Sequence, residues 1–133
     1  AYPARKMTQL AFIAFGGALG AVARHLFGQW TLRVFGPEWP YGTFGVNVIG
    51  GLVMGVFIGW LARAGRADAN MLRSLVAVGI LGGFTTFSAF SLDVVVMIER
   101  KAYAGAMGYA VASVVASVLA LFVGLLLARR FIA

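Results

Sequence analysis

The sequence predicts an all-α membrane protein whose four long helices cross the bilayer. The composition supports this class, because 62% of the 133 residues are hydrophobic and 11% are charged, against about 25% charged residues in an ordinary globular domain. The apolar residues also fall into four runs, each long enough to cross a hydrocarbon core about 30 Å thick. Finally, a glycine and threonine cluster interrupts the third run and predicts that this helix is broken.

The predicted spans cover residues 7–30, 41–62, 71–98 and 103–128. They are joined by a Gly- and Pro-containing connection over 31–40, a polar connection over 63–70 and a short turn at Glu99-Arg100-Lys101. These spans take up most of the chain. The sequence therefore predicts a single transmembrane domain over residues 1–133.

The first span has two possible interpretations. The basic pair Arg5-Lys6 before an apolar run, together with the small residues at 21–23, also fits a secretory signal peptide. The glycines Gly16, Gly17 and Gly20 favour a helix packed against a neighbour, since small residues let membrane helices approach closely. We expect a packed helix.

Arg24 and His25 lie near the end of the first run. A charged side chain at the bilayer centre costs about 2.5 to 3.5 kcal/mol on insertion scales, and less where a long stem reaches the interface. Arg24 is therefore predicted either to line an electropositive vestibule or to lie at the membrane edge. His25 is predicted to be structural, because no carboxylate pair accompanies it for a metal site.

Small and polar residues in the second span recur every four positions: Thr43, Asn47, Gly51, Gly55 and Gly59. This spacing places them in one stripe on a helix. The glycines are predicted to form a helix–helix contact. The Asn47 amide is predicted to donate to an anion, with a purely structural hydrogen bond as the alternative.

The fourth span repeats this spacing with Tyr109, Ser113 and Ser117. Their hydroxyls would lie on one helix face. They are predicted either to bond to backbone carbonyls one turn earlier or to line a track for water or ions.

The cluster at residues 82–90 is the most informative feature of the third span. Backbone groups freed by a helix break find no water in lipid, so such breaks line a polar cavity, hold an ion or are covered by protein. Freed carbonyls are ligands for hard cations. Phe87 and Phe90, three residues apart, would pack in the core or turn their positive ring edges toward a small anion.

The segments GGFTTFSAFS at 82–91, GTFGVNVIGG at 42–51 and GALGAVAR at 17–24 resemble the Fluc (CrcB) fluoride channels. The resemblance covers all four spans. It implies an antiparallel homodimer of dual topology in a bacterial inner membrane, surrounded by lipid, with passive fluoride efflux through two pores. It also implies a structural sodium ion (Na+) at the dimer centre, held by the main-chain carbonyls of Gly82 and Thr85.

The same resemblance implies pore roles for eight residues. They are Arg24, Thr43, Asn47, Phe87, Phe90, Tyr109, Ser113 and Ser117. Asp93 stands where relatives carry glutamate, so a role for this shorter acid stays open.

The loop charges depart from the balance that dual topology predicts. The side with both termini and the second loop would carry seven basic residues, against three opposite. The seven are Arg5, Lys6, Arg63, Arg66, Arg73, Arg129 and Arg130, and the three are Arg33, Arg100 and Lys101. Either the subunit inserts in one orientation beside an oppositely oriented partner, or Arg73, close to the third span, does not count.

Other function classes are disfavoured. The net charge of +7 does not point to a nucleic-acid partner, because the basic residues lie between apolar runs and would meet lipid headgroups. The sequence contains no cysteine, which excludes disulfides, thiolate catalysis and cysteine-bound metals.

A four-span drug/proton antiporter is the main alternative. It would need a titratable carboxylate in the membrane, and only Asp93 offers one. A serine hydrolase would need His25 beside Ser88 or Ser113, and the sequence gives no local sign of such a pair. No enzymatic activity is expected.

Overall fold

The computed structural model describes residues 2–132, and within them every regular element is a helix. Helix α1 spans Ala4–Phe35, α2 Tyr41–Ala64, α3 residues 69–84, α4 Ser88–Glu99 and α5 Tyr103–Phe131. Helices α3 and α4 together form the third span. Four segments are long and apolar enough to cross a membrane: Ala4–Phe35, Tyr41–Ala64, Ala69–Glu99 and Tyr103–Phe131. The predicted helical, four-span architecture is confirmed.

The helices run beyond the predicted spans. The connection predicted to begin at Thr31 is wrong by more than one turn, because α1 continues to Phe35. Hydropathy marks only the apolar part of a helix, whereas α1 ends where Gly36 takes a positive φ of 83°. Gly65, at φ 60°, likewise ends α2 in the left-handed conformation that glycine adopts readily.

Helices α1 and α3 pack with their backbones in contact. Gly16 and Gly20 are buried in this contact. A Cβ atom on Gly16 would lie 2.9 Å from the amide nitrogen of Ile80, and one on Gly20 would lie 2.8 Å from that of Phe84. The first span is therefore a packed helix, as predicted, and the signal-peptide interpretation is disfavoured.

Helices α2 and α5 form the second glycine-lined pair. A Cβ atom on Gly51 would lie 2.8 Å from the Ser117 carbonyl oxygen, and one on Gly59 would lie 2.6 Å from the Ala128 Cβ. Between them, Gly55 lies against the α5 backbone. The prediction that these glycines form a helix–helix contact is confirmed.

The middle of α3, Arg73–Leu81, has the wide i to i−5 hydrogen bonding of a π-helix. Such runs are usually a single turn. Its buried residues include Ser74, whose hydroxyl donates to the Asn70 carbonyl (2.9 Å) and accepts from Gln9 Nε2 on α1 (2.9 Å). The widened segment is thus tied to α1 before the chain reaches the break.

The α2–α3 connection carries the one ion pair within residues 2–132, between Arg66 and Asp68 (2.8 Å). The side-chain hydrogen bond from Arg66 holds the pKa of Asp68 below its usual value. Both side chains are exposed, so the pair contributes little to stability. Within residues 2–132 no ion pair includes Arg24 of the first span or Asp93 of the third, so other groups hold them.

The α2–α5 contact predicts a large difference between two glycines of α5. An alanine Cβ at Gly124 would lie 2.8 Å from the Val56 backbone nitrogen. A backbone atom cannot move aside as the end of a flexible side chain can. Gly124→Ala should therefore destabilise the protein by about 1 to 3 kcal/mol and lower its unfolding midpoint, followed by circular dichroism in detergent. Gly108→Ala is the control, because no atom lies within 4 Å of its added methyl. Equal midpoints for the two variants would contradict the contact.

Candidate functional site

The candidate site is built around the break between α3 and α4. Thr85 is extended (φ −84°, ψ 159°), while its N–H and hydroxyl both donate to the Leu81 carbonyl (3.0 and 2.9 Å) and close the end of α3. The Thr86 hydroxyl oxygen accepts the Ala89 N–H (3.1 Å) in the first turn of α4. The cluster at 82–90 thus ends one helix and starts another, so the predicted break is present.

Asn47, on α2, holds the peptide groups of the break. Its Nδ2 donates to the Thr86 carbonyl (2.9 Å), and its Oδ1 accepts the Thr86 N–H (2.8 Å). The amide therefore replaces both hydrogen bonds that the helix break removes from this residue. A second N–H on Nδ2 is left for another acceptor.

Arg24, on α1, reaches the other side of the break. Its Nε donates to the Gly83 carbonyl (3.0 Å). This carbonyl belongs to the last turn of α3, where a cation is also favoured by the helix dipole. The Arg24 side chain is half-buried and lines a cavity.

This first cavity, of about 460 Å³, opens beside the α1–α2 connection. Its charged lining residues carry both signs: Arg24, Glu38, Asp93 and Arg100. Thr43 and Thr86 add hydroxyl groups. The cavity lies at the end of the molecule opposite the α2–α3 connection, and we call it the vestibule.

The second cavity, of about 440 Å³, lies along α2, the break and α5, and its lining is largely apolar. It brings together Asn47, Phe87, Phe90, Ser113 and Ser117, five of the residues predicted for a pore. Thr86 lines both this cavity and the vestibule. We call the second cavity the phenylalanine cavity.

Tyr109 lies between these two cavities and is 1% exposed. Its hydroxyl donates to Asp93 Oδ2 (3.0 Å), and Asp93 lines the vestibule. The same hydroxyl lies near the side chains of Thr43 and Ser113, one from each cavity lining. Polar groups therefore connect the vestibule to the phenylalanine cavity through Tyr109.

Ser113 carries a buried hydroxyl without a hydrogen-bond partner, the one such side-chain atom within residues 2–132. The alternative that serine hydroxyls bond to a carbonyl one turn earlier does not hold here, although Ser74 and Ser91 do this. An unpaired buried hydroxyl costs about 1 to 3 kcal/mol. Ser113 is one of the residues that line the phenylalanine cavity, and its hydroxyl lies near that of Tyr109.

Phe87 and Phe90 lie side by side, with ring centroids 5.6 Å apart and planes at 47°. Phe90 also packs on Tyr109, at 5.3 Å between centroids. Phe87 is 77% exposed, the largest exposure of any large hydrophobic side chain described. The pair thus forms one wall of the phenylalanine cavity, with Phe87 at its open edge.

Gly82 and Thr85 are the residues whose carbonyls were predicted to bind a cation. Within residues 2–132, no hydrogen bond outside the regular helices ends on either carbonyl oxygen. Gly82 is exposed on the surface of this chain. Both oxygens are therefore available as ligands for a hard cation.

The part of the chain that the structure describes holds neither a hydrogen-bonded serine–histidine pair nor a cluster of metal-ligating side chains. His25 is exposed, and no hydrogen bond joins it to a serine in the part of the chain that the structure describes. Within residues 2–132 no three His, Cys, Asp or Glu side chains cluster as metal ligands.

Two residues of the site were not singled out from the sequence. The Thr86 carbonyl accepts from the Asn47 amide and the Thr86 N–H donates to it, and the Gly83 carbonyl accepts from Arg24. A threonine just before an apolar run is a signal for a helix start. Neither backbone contact could be found from spacing, since each joins residues from different helices.

Comparison with known proteins places this geometry in a family. Residues 11–125 match the family model described as "CrcB-like protein, Camphor Resistance (CrcB)". A protein of Caulobacter sp. (strain K31) is 58% identical over 124 residues, covering 93% of this chain and 97% of that protein. A protein of Phenylobacterium zucineum is 55% identical over 127 residues, covering 96% of this chain and 100% of that protein. A protein of Mesorhizobium japonicum is 50% identical over 123 residues, covering 92% of this chain and 98% of that protein.

These three relatives carry the name "Fluoride-specific ion channel FluC". That name does not favour the drug/proton antiporter considered from the sequence. The four apolar spans and these bacterial relatives identify an integral membrane protein. With a family match over most of its length and relatives above half identity, the chain belongs to the CrcB family.

Proposed function

We propose that this protein is a fluoride-selective channel that lets fluoride leave the cytoplasm passively. The observation that carries the proposal is the lining of the phenylalanine cavity, which includes Ser113, a serine whose hydroxyl is buried without a hydrogen-bond partner. Ser113 is accompanied there by the Asn47 amide and by two phenyl rings. Hydrogen-bond donors and ring edges, with no carboxylate in the lining, suit a small dehydrated anion.

The physical problem for such a channel is dehydration. Fluoride gives up very favourable hydration on entering a narrow pathway and must regain most of it from protein donors. The vestibule offers Arg24 and Thr43, and the phenylalanine cavity offers Asn47, Ser113 and Ser117. Several weak contacts in sequence permit both entry and exit.

The driving force is the fluoride gradient itself. In acidic surroundings fluoride enters cells as neutral HF, dissociates in the near-neutral cytoplasm and is trapped as the anion. An open anion pathway then allows efflux, assisted by an inside-negative potential. The proposed location is therefore the bacterial inner membrane, and the proposed activity requires no enzymatic step.

A structural sodium ion at the break is part of the proposal. The fit rests on the free carbonyl oxygens of Gly82 and Thr85, because oxygen ligands suit a hard cation. Bound there, sodium would supply positive charge where the carbonyls of α3 end. Arg24 and Asn47 hold the neighbouring peptide groups in place.

The proposed assembly is an antiparallel homodimer of dual topology. Polar backbone cannot face lipid, yet Gly82 is exposed at the surface of the isolated chain. A second copy related by a two-fold axis through the break would cover this backbone and the exposed Phe87 ring. The carbonyls of two chains would then surround one cation, as a hard cation requires more than two ligands.

The Ser113 hydroxyl tests the proposed pathway. Purified protein in fluoride-loaded liposomes should release fluoride, measured with a fluoride electrode. Ser113→Ala should slow release by about tenfold, because one donor to the dehydrated anion is lost. The same change should leave the unfolding midpoint unchanged or higher, since the hydroxyl has no partner to lose.

Ser91→Ala is the matched control, because Ser91 bonds to the Phe87 carbonyl and lines neither cavity. Its release rate should remain near that of the unmodified protein. Absence of fluoride release from the unmodified protein would overturn the proposed function. Normal release by Ser113→Ala would remove Ser113 from the pathway.

Sodium dependence tests the cation site. Replacing sodium by N-methylglucamine at constant ionic strength should slow fluoride release by about tenfold or more, because the carbonyl oxygens at the break then face one another without a cation. Thr85→Ser should keep this dependence, since the proposed ligand is its backbone carbonyl. Equal release rates in the two cations would contradict the site.

Cysteine labelling tests the topology, since the sequence has no cysteine of its own. Ala67→Cys lies on the exposed α2–α3 connection, and Glu99→Cys lies at the opposite end of the molecule. In cells, an impermeant thiol reagent should label about half of each variant, because dual topology places each site on both sides. A permeant reagent provides the total. Labelling of one variant only would show a single orientation.

A further inference from the structure

Arg24 is held by backbone and not by an acid. Its Nε donates to the Gly83 carbonyl at 3.0 Å, and no ion pair within residues 2–132 includes it. Arg24 also lines the vestibule, as do Thr43 and Thr86. One side chain therefore offers two separate properties: a hydrogen-bond donor at Nε and a positive charge at its tip.

The Gly83 carbonyl needs such a donor. In a continuous helix it would accept the N–H four residues on, but the chain turns extended at Thr85. In the membrane interior an unpaired carbonyl finds no water to bond and is strongly destabilising. The Arg24 Nε–H thus satisfies an acceptor that the break creates.

The packing of α1 on α3 fixes the reach of this side chain. A Cβ atom on Gly83 would lie 2.6 Å from the Gly17 carbonyl oxygen and 3.2 Å from the Ala21 nitrogen. Gly20, one helical turn before Arg24, lies equally close to the end of α3. Because the two backbones touch here, the Nε atom of Arg24 reaches the Gly83 carbonyl without spanning a gap.

We propose that Arg24 is a positioning residue for the break, acting through its Nε–H on the Gly83 carbonyl rather than only through its charge in the vestibule. Arg24 and Asn47, from different helices, take the carbonyls of Gly83 and Thr86. The carbonyls of Gly82 and Thr85 are then left with fixed directions. Arg24 therefore sets the geometry of the proposed cation site without contacting the cation, and this part of the inference rests on the proposed function.

Two substitutions separate the donor from the charge. In Arg24→Gln the amide nitrogen Nε2 occupies the same place along the side chain as Nε, so the donor remains and the charge is lost. In Arg24→Lys a methylene group occupies that place, so the charge remains and the donor is lost. Arg33→Gln is the control, because it removes an exposed charge from the last turn of α1, outside both cavities.

The first readout is hydrogen–deuterium exchange of the peptide amides at 82–87, measured by mass spectrometry on the full chain in lipid nanodiscs. Arg24→Lys should accelerate this exchange by about tenfold, the effect of losing one hydrogen bond to a charged group. Arg24→Gln and Arg33→Gln should remain within about twofold of the unmodified protein.

The second readout is the sodium concentration that gives half-maximal fluoride release. Arg24→Lys should raise it by about tenfold, because the carbonyls of the break are no longer held. Arg24→Gln should release fluoride more slowly, because the vestibule loses a charge, but with the sodium dependence of the unmodified protein.

Three outcomes would overturn the inference. The first is an unchanged amide exchange rate at 82–87 in Arg24→Lys. The second is an equal increase of this rate in Arg24→Gln and Arg24→Lys. The third is an increase in Arg24→Gln alone. If the unmodified protein releases no fluoride, the proposed function fails by itself, and the exchange measurement still tests whether Arg24 holds the break.

Discussion

Peptide groups inside a membrane must find hydrogen-bond partners within the protein, and the break in the third span depends on this constraint. Where helical bonding stops, Asn47 and Arg24 take the carbonyls of Thr86 and Gly83. Thr86 in turn starts α4 through its own hydroxyl. The break is thus a defined structure held by side chains from two other helices, and the cavities on either side of Thr86 take their shape from it.

The glycines make these contacts possible. They bring α1 against α3 and α2 against α5, so the backbones nearly touch. The break then lies where the two helix pairs meet, with Arg24 reaching it from the first pair and Asn47 from the second. Tyr109 fills the space between the cavities, bonded to Asp93 and packed on Phe90. The glycine contacts between helices and the hydrogen bonds of Arg24 and Asn47 therefore both position the break in the third span.

Much of this arrangement follows from the sequence alone. Run length predicts the four spans, the four-residue spacing predicts the glycine contact of α2, and the cluster at 82–90 predicts the break. The helix ends could not be predicted from the sequence, because α1 ends where Gly36 takes a positive φ and not where hydropathy falls. The partners of Arg24 and Asn47 did not follow either. They depend on how closely two helices approach, which a pattern along one helix does not contain.

The order of the two glycine-lined pairs along the chain has a consequence for biogenesis. Helix α1 packs on α3, and α2 packs on α5, so the pairs interleave. During co-translational insertion α2 enters the lipid with its glycine face uncovered, and it stays so until the C-terminal helix is synthesised. A nascent chain released before that point carries an unmatched helix face.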